Sequence, residues 1–307
     1  LISYLCSDDN DKLAHSLMEE PIGFVNAILP LKMKFKSESF ILVDNEEILG
    51  LITVCVTRGN PFKINITRLI FKDNRYDVGK MLVDFVLQKQ GGKGATAFVV
   101  NIDESHVELL DLFVNGCGFR QCSSEVLWKF ENFSPYKSGL NIRPAQSSDA
   151  DEIANLYNSQ LISIFKPSLI RNPKEFKQPF FTGFLDCYKN RYVYEESDKI
   201  LGYFSISTND NLNYILDFVV NSAYNLSFDS IIASLLNEIT RKKKNYYPFI
   251  KQKKYLNDAD NFGAYLSNNG FISIQTQHIL VKDFYKPVAQ ESANWKVFLF
   301  GENQISS

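Results

Sequence analysis

The sequence predicts a mixed α/β protein made of two tandem units of like design, and three observations carry that prediction. The first is length: 307 residues exceed the usual size of one domain, and 45% hydrophobic residues supply two cores. The second is the stretch 66–87, where an apolar run suited to a buried strand meets a polar turn. Beyond the turn, Val78, Met81, Leu82, Phe85 and Val86 recur at helical spacing. The third is repetition. Ile200-Leu201-Gly202 echoes Ile48-Leu49-Gly50 at an offset of 152 residues, and Asn269-Gly270-Phe271 echoes Cys117-Gly118-Phe119 at the same offset. The polar cluster Ser147-Ser148-Asp149 echoes that at Ser7-Asp8-Asp9 at an offset of only 140, so the second copy carries about 12 extra residues, placed near 164–179.

In order along the chain, the helix-capping residues 7–11 precede Leu13, Ala14, Leu17 and Met18, which predicts a first helix, with a shorter one before Pro30. Residues 40–43 and 48–57 flank the turn Asp44-Asn45-Glu46-Glu47 and read as a hairpin. A strand over 63–71 and the helix starting at the 66–87 junction follow. Residues 95–102 read as a strand, 106–114 as a helix, and 125–130 as the strand that completes the unit. The turn-forming residues 134–140 predict a linker, giving an N-terminal domain over 1–133 and a C-terminal one over 141–307. Residues 295–300 read as a short extra strand or a docked apolar tail.

Composition excludes several function classes. A formal net charge of −2 supplies no global basic field for nucleic acid or a membrane surface, and no apolar run approaches 18 residues. No secretory signal is legible. The cysteines Cys6, Cys55, Cys117, Cys122 and Cys187 form no C-x-x-C pair, which fits reduced thiols and a cytoplasmic location. His15, His106 and His278 are too far apart in sequence to suggest a zinc cluster, so no metal is expected. Residues 241–254 interleave lysines with Tyr246, Tyr247 and Phe249. This is either a patch for an acidic partner or RNA, or ordinary cations at a helix C-terminus; the second reading is preferred.

The order of elements, the stretch Asn141-Ile142-Arg143-Pro144-Ala145 followed by Asp149 and Ile153, and the two Gly-Phe landmarks resemble the GNAT superfamily of acyl-CoA-dependent N-acyltransferases, in two copies covering nearly the whole chain. The resemblance implies acyl transfer from an acyl-CoA, expected to be acetyl-CoA, to a small-molecule or peptide amine. It implies that the strand before the central helix holds the pantetheine arm and that the following loop, R/Q-x-x-G-x-G/A in the family, holds the pyrophosphate through close backbone approach. On this chain that assigns coenzyme binding to Ile70, Phe71, Arg75, Tyr76, Asp77, Val78, Gly79 and Lys80. Only Gly79 keeps the motif: Asn74 replaces the basic residue, and Asp77 stands at the first glycine, where a carboxylate repels phosphate. The second loop, 221–232, has neither glycine nor basic residue.

The family's general-acid tyrosine is missing too: its positions hold Val114 and Leu266, while Phe113 and Tyr265, one residue earlier, turn away by about 100° and are expected in the core. No catalytic residue is assigned. Candidates for a base are Asp103, Tyr214 and Asp217; a cleft carboxylate at 217 with a raised pKa would serve, and an outward-facing strand residue is the alternative. His106 is either a relay or a helix-start residue without a role. The degenerate loops leave a second function open, a pseudoenzyme that keeps the fold as a protein-interaction or assembly module.

Overall fold

The computed structural model describes residues 3–6, 37–45, 47–72, 75–130, 139–177, 188–284 and 297–299. The helices expected between 9 and 30, residues 134–138 of the expected linker, and Asn74 lie outside the described residues. Two compact units are present: Leu1–Cys122 with His278–Ser307, and Ser123–Gln277. The division therefore falls ahead of the expected linker. Its cause is strand pairing, because residues 125–129 join the sheet of the second unit, while 278–283 belong to the first.

The first unit contains β1 (Ser3–Cys6), β2 (Ser37–Asp44), β3 (Glu47–Thr57), β4 (Asn60–Phe71), α1 (Tyr76–Gly92), β5 (Ala97–Asp103) and α2 (Val107–Asp111) with a π-helical turn at Leu112–Gly116. Two strands from the other end of the chain complete it: the latter part of β12 (Phe271–Asp283), and β13 (Val297–Leu299). Strand order is β13-β2-β3-β4-β5-β12, with β1 added on β4. Helix α1 forms because Val78, Leu82, Val83 and Val86 make one apolar face, all buried against Ile52, Leu69 and Phe71.

The second unit contains β6 (Arg120–Phe130) from residue 123 onward, β7 (Arg143–Pro144), α3 (Ala150–Gln160), α4 (Lys166–Leu169), β8 (Tyr188–Glu196), β9 (Lys199–Thr208), β10 (Asn213–Val220), α5 (Phe228–Thr240), β11 (Tyr247–Lys253), α6 (Ala259–Asn268) and the start of β12. Its strand order is β6-β11-β10-β9-β8-β7. Ile231, Ile232, Leu235, Leu236 and Ile239 seat α5 on Phe204, Leu216 and Phe218.

The repeated landmarks have repeated causes. Leu42 pairs with Gly50 and Val43 with Ile48, so Leu49 is bulged out; Tyr194 pairs with Gly202 and Glu195 with Ile200, so Leu201 is bulged in the same way. In each unit the bulged carbonyl accepts from the residue after the next strand, Lys72 N–H to Leu49 at 3.2 Å and Asn221 N–H to Leu201 at 2.8 Å. Gly118 and Gly270 both have positive φ, +69° and +77°, at the turn from helix into final strand, where any side chain is strained.

Candidate coenzyme cleft

In each unit two parallel strands part company. β10 and β11 pair from Asn213↔Tyr247 to Leu216↔Ile250 and no further, although β10 continues to Val220 and β11 to Lys253. β9 holds the other edge of β10 through Val220, and β6 holds the other edge of β11. Among the described residues, the inner edge of 217–220 therefore has no strand partner. In the first unit, β4 and β5 pair only over Lys63–Asn65 and Ala97–Val99. There the wedge is filled: β1 runs parallel to β4 with Ser3, Tyr4, Leu5 and Cys6 opposite Arg68, Leu69, Ile70 and Phe71. Since Gly50 pairs with Phe71 and Gly202 with Val220, residues 68–71 correspond to 217–220, and β1 occupies the edge that is open in the second unit.

The residues assigned to coenzyme binding from the sequence sit at this first wedge. Ile70, Phe71 and Val78 are buried, each 2% exposed or less. A Cβ on Gly79 would lie 2.8 Å from the Phe71 ring and 3.0 Å from Leu112, so this glycine permits close packing of helix on strand. Tyr76 lies edge-on to Phe71, ring centroids 5.4 Å apart. Arg75 grips Asp77 with two nitrogens (3.0 Å each), and Lys80 pairs with Asp84 at 2.5 Å. The bond from Arg75, with backbone N–H groups of Asp77 and Val78, holds the Asp77 carboxyl below its usual range. The start of α1 thus carries its own anion.

At the second wedge, Phe218, Val219, Val220, Lys251, Lys253, Phe228, Phe262, Gln160 and Asn257 surround a cavity of about 30 Å³, room for one or two waters. The loop before α5 satisfies part of its own backbone: Gln160 Oε1 accepts from Ser222 N–H (3.0 Å) and Asn221 Oδ1 from Ala223 N–H (3.1 Å). Ser227 caps α5 without a side-chain hydrogen bond. Tyr265, which the sequence places in the core, is half-buried: its ring lies among Phe228 and Phe262, and its hydroxyl donates to Asp229 at 2.6 Å. Phe113 is fully buried as expected, and Leu266 is too.

Two lysines that line this cavity, Lys253 and Lys251, are held in ion pairs. Lys253 Nζ is 2.5 Å from Asp217 Oδ1 and Lys251 Nζ is 2.9 Å from Glu125 Oε2. The first contact is close yet unaligned, since Asp217 Oδ1 is buried and receives no properly directed hydrogen bond. Tyr255 donates to Glu125 at 2.6 Å, and Tyr157 to Tyr255 at 3.4 Å. Burial by itself pushes the Asp217 carboxyl up, but Lys253, Lys251 and Lys189 outweigh it and hold the group below the usual carboxylate range. Glu125 is held low in the same way, burial being outweighed by Lys251, Lys253 and the Tyr255 hydroxyl. The expectation of a raised pKa at Asp217 is therefore corrected: its ammonium neighbours stabilise the charged form.

The other sequence candidates have local roles. Asp103 accepts from the Ser105 backbone N–H (2.9 Å) and hydroxyl (2.6 Å), a turn-forming contact, and Tyr214 is buried edge-on to Tyr246. His106 is the residue before α2, its Nδ1 3.5 Å from Ser105 Oγ. The basic stretch 241–254 divides: Arg241 pairs with Glu238, whereas Lys251 and Lys253 turn into the sheet face. Lys251, Lys253, Glu125, Phe228 and Phe262 were missed as site residues; charges alternating along an apolar strand were the available signal. Among the described residues, no group of three or more metal-binding side chains exists and no helix is long and apolar enough to cross a membrane.

Comparison by sequence finds no matching family model and no matching curated protein. Comparison of structures does. The chain is similar to a tandem GNAT protein from the clavulanic acid biosynthesis pathway, solved without AcCoA: TM-score 0.54, 11% identity, covering 89% of this chain and 93% of that one. It is also similar to a GCN5-related N-acetyltransferase from Sphaerobacter thermophilus, TM-score 0.53 and 10% identity over 82% of each chain. These likenesses show the fold alone: two mixed α/β units that share bulge, splayed strands and Gly-Phe turn. More narrowly, the fold is the one seen in these GNAT structures.

Proposed function

We propose that the protein is an acyl-CoA-dependent N-acyltransferase, with acetyl-CoA as donor and a small-molecule or peptide amine as acceptor, and that the second unit holds the coenzyme. One observation carries the proposal: the inner edge of residues 217–220 lacks a strand partner among the described residues and borders a cavity, while the corresponding edge of the first unit is taken by β1. An extended pantetheine arm would pair with that backbone edge as a strand does. Phe228 and Phe262 line that cavity and would flank the arm.

The chemistry assigned to this chain's residues is modest. Backbone N–H groups of the open edge orient and polarise the thioester carbonyl, and the Lys251 and Lys253 ammonium groups face the departing thiolate. Asp217, held as a carboxylate, is a weak base, so the amine reaches the cleft already neutral or loses its proton to water.

Calorimetric titration with acetyl-CoA and CoA tests the reading, using Asn257→Trp to cap the second cavity and Lys80→Glu to reverse charge at the first loop. Binding that weakens at least about tenfold in Asn257→Trp and is unchanged in Lys80→Glu is the expected result. The opposite pattern moves the coenzyme to the first unit. A second reading, the non-catalytic module, draws on the filled first wedge and narrow second cavity, and no binding at millimolar coenzyme would select it.

A further inference from the structure

One face of the second unit's sheet is crowded with cations. Strand register puts Arg191, Ser205 and Asp217 in one row, Arg191↔Ser205 and Ser205↔Asp217, so their side chains share a face. Lys251 and Lys253 meet Asp217 and Glu125 on that same face. The segment around Phe176 lies over it. Phe176 packs between Tyr157 and Tyr203, with centroids 5.9 Å and 5.4 Å away, and brings Arg171 over the Tyr157 ring at 4.4 Å. Lys189, two residues before Arg191 on β8, lies on the same face at an exposed position.

Five cations, Lys189, Arg191, Arg171, Lys251 and Lys253, thus share this region with three carboxylates, Asp217, Glu125 and the more distant Glu175. Two of the carboxylates are committed to Lys251 and Lys253. Arg191 donates to the carbonyls of Phe176 (2.9 Å) and Lys177 (3.3 Å), and Arg171 spends its guanidinium on an aromatic face. Among the described residues, Arg171, Arg191 and Lys189 have no carboxylate within ion-pair distance. Arg171 and Arg191 are half-buried, where a charge partly withdrawn from water without an opposite charge is costly, and a guanidinium is shaped to take a carboxylate or phosphate with two nitrogens. Lys251 and Lys253 also line the cavity where the thioester is assigned, and Lys253 lies 5.4 Å from the same Tyr157 ring that Arg171 covers at 4.4 Å, which links the arginine to that cavity.

We propose that the acceptor amine carries an anionic group, a carboxylate or a phosphate, and that Arg171, with Arg191 and Lys189, binds it on this covered face of the second unit. The acceptor role rests on the acyltransferase reading; the anion site does not. The anion anchors the far end of the acceptor and leaves its amine facing the cavity.

The test is calorimetry on the full chain at about 50 mM salt, where charge attraction is little screened, with O-phosphoethanolamine, β-alanine and ethanolamine as probes. Either anionic amine should bind at least about tenfold more tightly than ethanolamine, and the stronger of the two distinguishes phosphate from carboxylate. Arg171→Gln should reduce that affinity to the ethanolamine level while leaving acetyl-CoA binding unchanged; Lys189→Gln, at an exposed strand position, should weaken it severalfold if Arg171→Gln fails to fold. Ethanolamine binding as tightly, no binding of either anionic amine, or indifference to both substitutions would overturn the proposal. Acetyl-CoA is titrated in the same samples: anion selectivity without coenzyme binding upholds the anion site and removes the acyltransferase reading.

Discussion

The pair Lys253–Asp217 offers the sharpest test of the second unit's electrostatics. The Lys253 side chain is 4% exposed and that of Asp217 21%, with Nζ and Oδ1 2.5 Å apart. Lys253→Met keeps most of the aliphatic stem and removes the charge, leaving the Asp217 carboxylate without its nearest cation. Losing one partner of a buried pair costs about 3–5 kcal/mol, much of it the price of the stranded charge. At ~2–4 °C per kcal/mol, the melting temperature should fall by roughly 6–20 °C. Lys253→Met with Asp217→Leu removes both charges and should recover most of the loss, since an apolar replacement of a buried pair is often neutral. Trp128 supplies the signal: its Nε1 donates to Gln252 Oε1 at 2.9 Å, one residue from Lys253, so its emission follows urea unfolding at the site. A loss under about 1 kcal/mol for Lys253→Met, or a double variant as unstable as the single, would refute the desolvated pair.

Three further outcomes are expected. Gly79→Ala should destabilise the first unit by about 1 kcal/mol in urea melts, because a Cβ 2.8 Å from the fully buried Phe71 ring overpacks the core by more than the gain in helix propensity offsets. The folded-state pKa values of Asp217 and Glu125 lie below their ordinary values, so the unfolded chain takes up protons first as pH falls. Their contribution is complete above the ordinary carboxylate range near pH 4 and is lost below it; melts from pH 7 down to 2.5 should show the fall, and Asp217→Leu with Lys253→Met should make it shallower. Burial pushes the Cys117 thiol up to about 12, so iodoacetamide at pH 8 should leave it unmodified in the native protein and alkylate it fully in urea, as read by peptide mass.

Local chemistry made much of this fold legible. The apolar spacing of Val78, Leu82 and Val86 marks α1, the polar turn at Asp44 between two apolar runs marks the β2–β3 hairpin, and the paired glycines mark the duplication because close packing beside the bulge (Gly50, Gly202) and a left-handed turn (Gly118, Gly270) favour them. The site was less legible. The sequence marks Gly79 as a loop glycine but does not show its close packing on the Phe71 ring and Leu112. Lys251 and Lys253 look like part of a solvated basic run, yet they turn inward, since strand alternation fixes which residues share a face but not whether that face is covered.

The sequence by itself determined the element types over the described residues and the repeated landmarks, because these depend on periodicities and turn residues a few positions apart. The tertiary structure alone decided that β1 fills the first wedge and that the matching edge of the second has no described partner. It alone decided that residues 125–129 and 278–283 serve opposite units, and that Asp217 stays charged. The physical reason is common to all four: strand pairing and desolvation join residues far apart in the chain, and their energies depend on which groups are brought together and shielded from water.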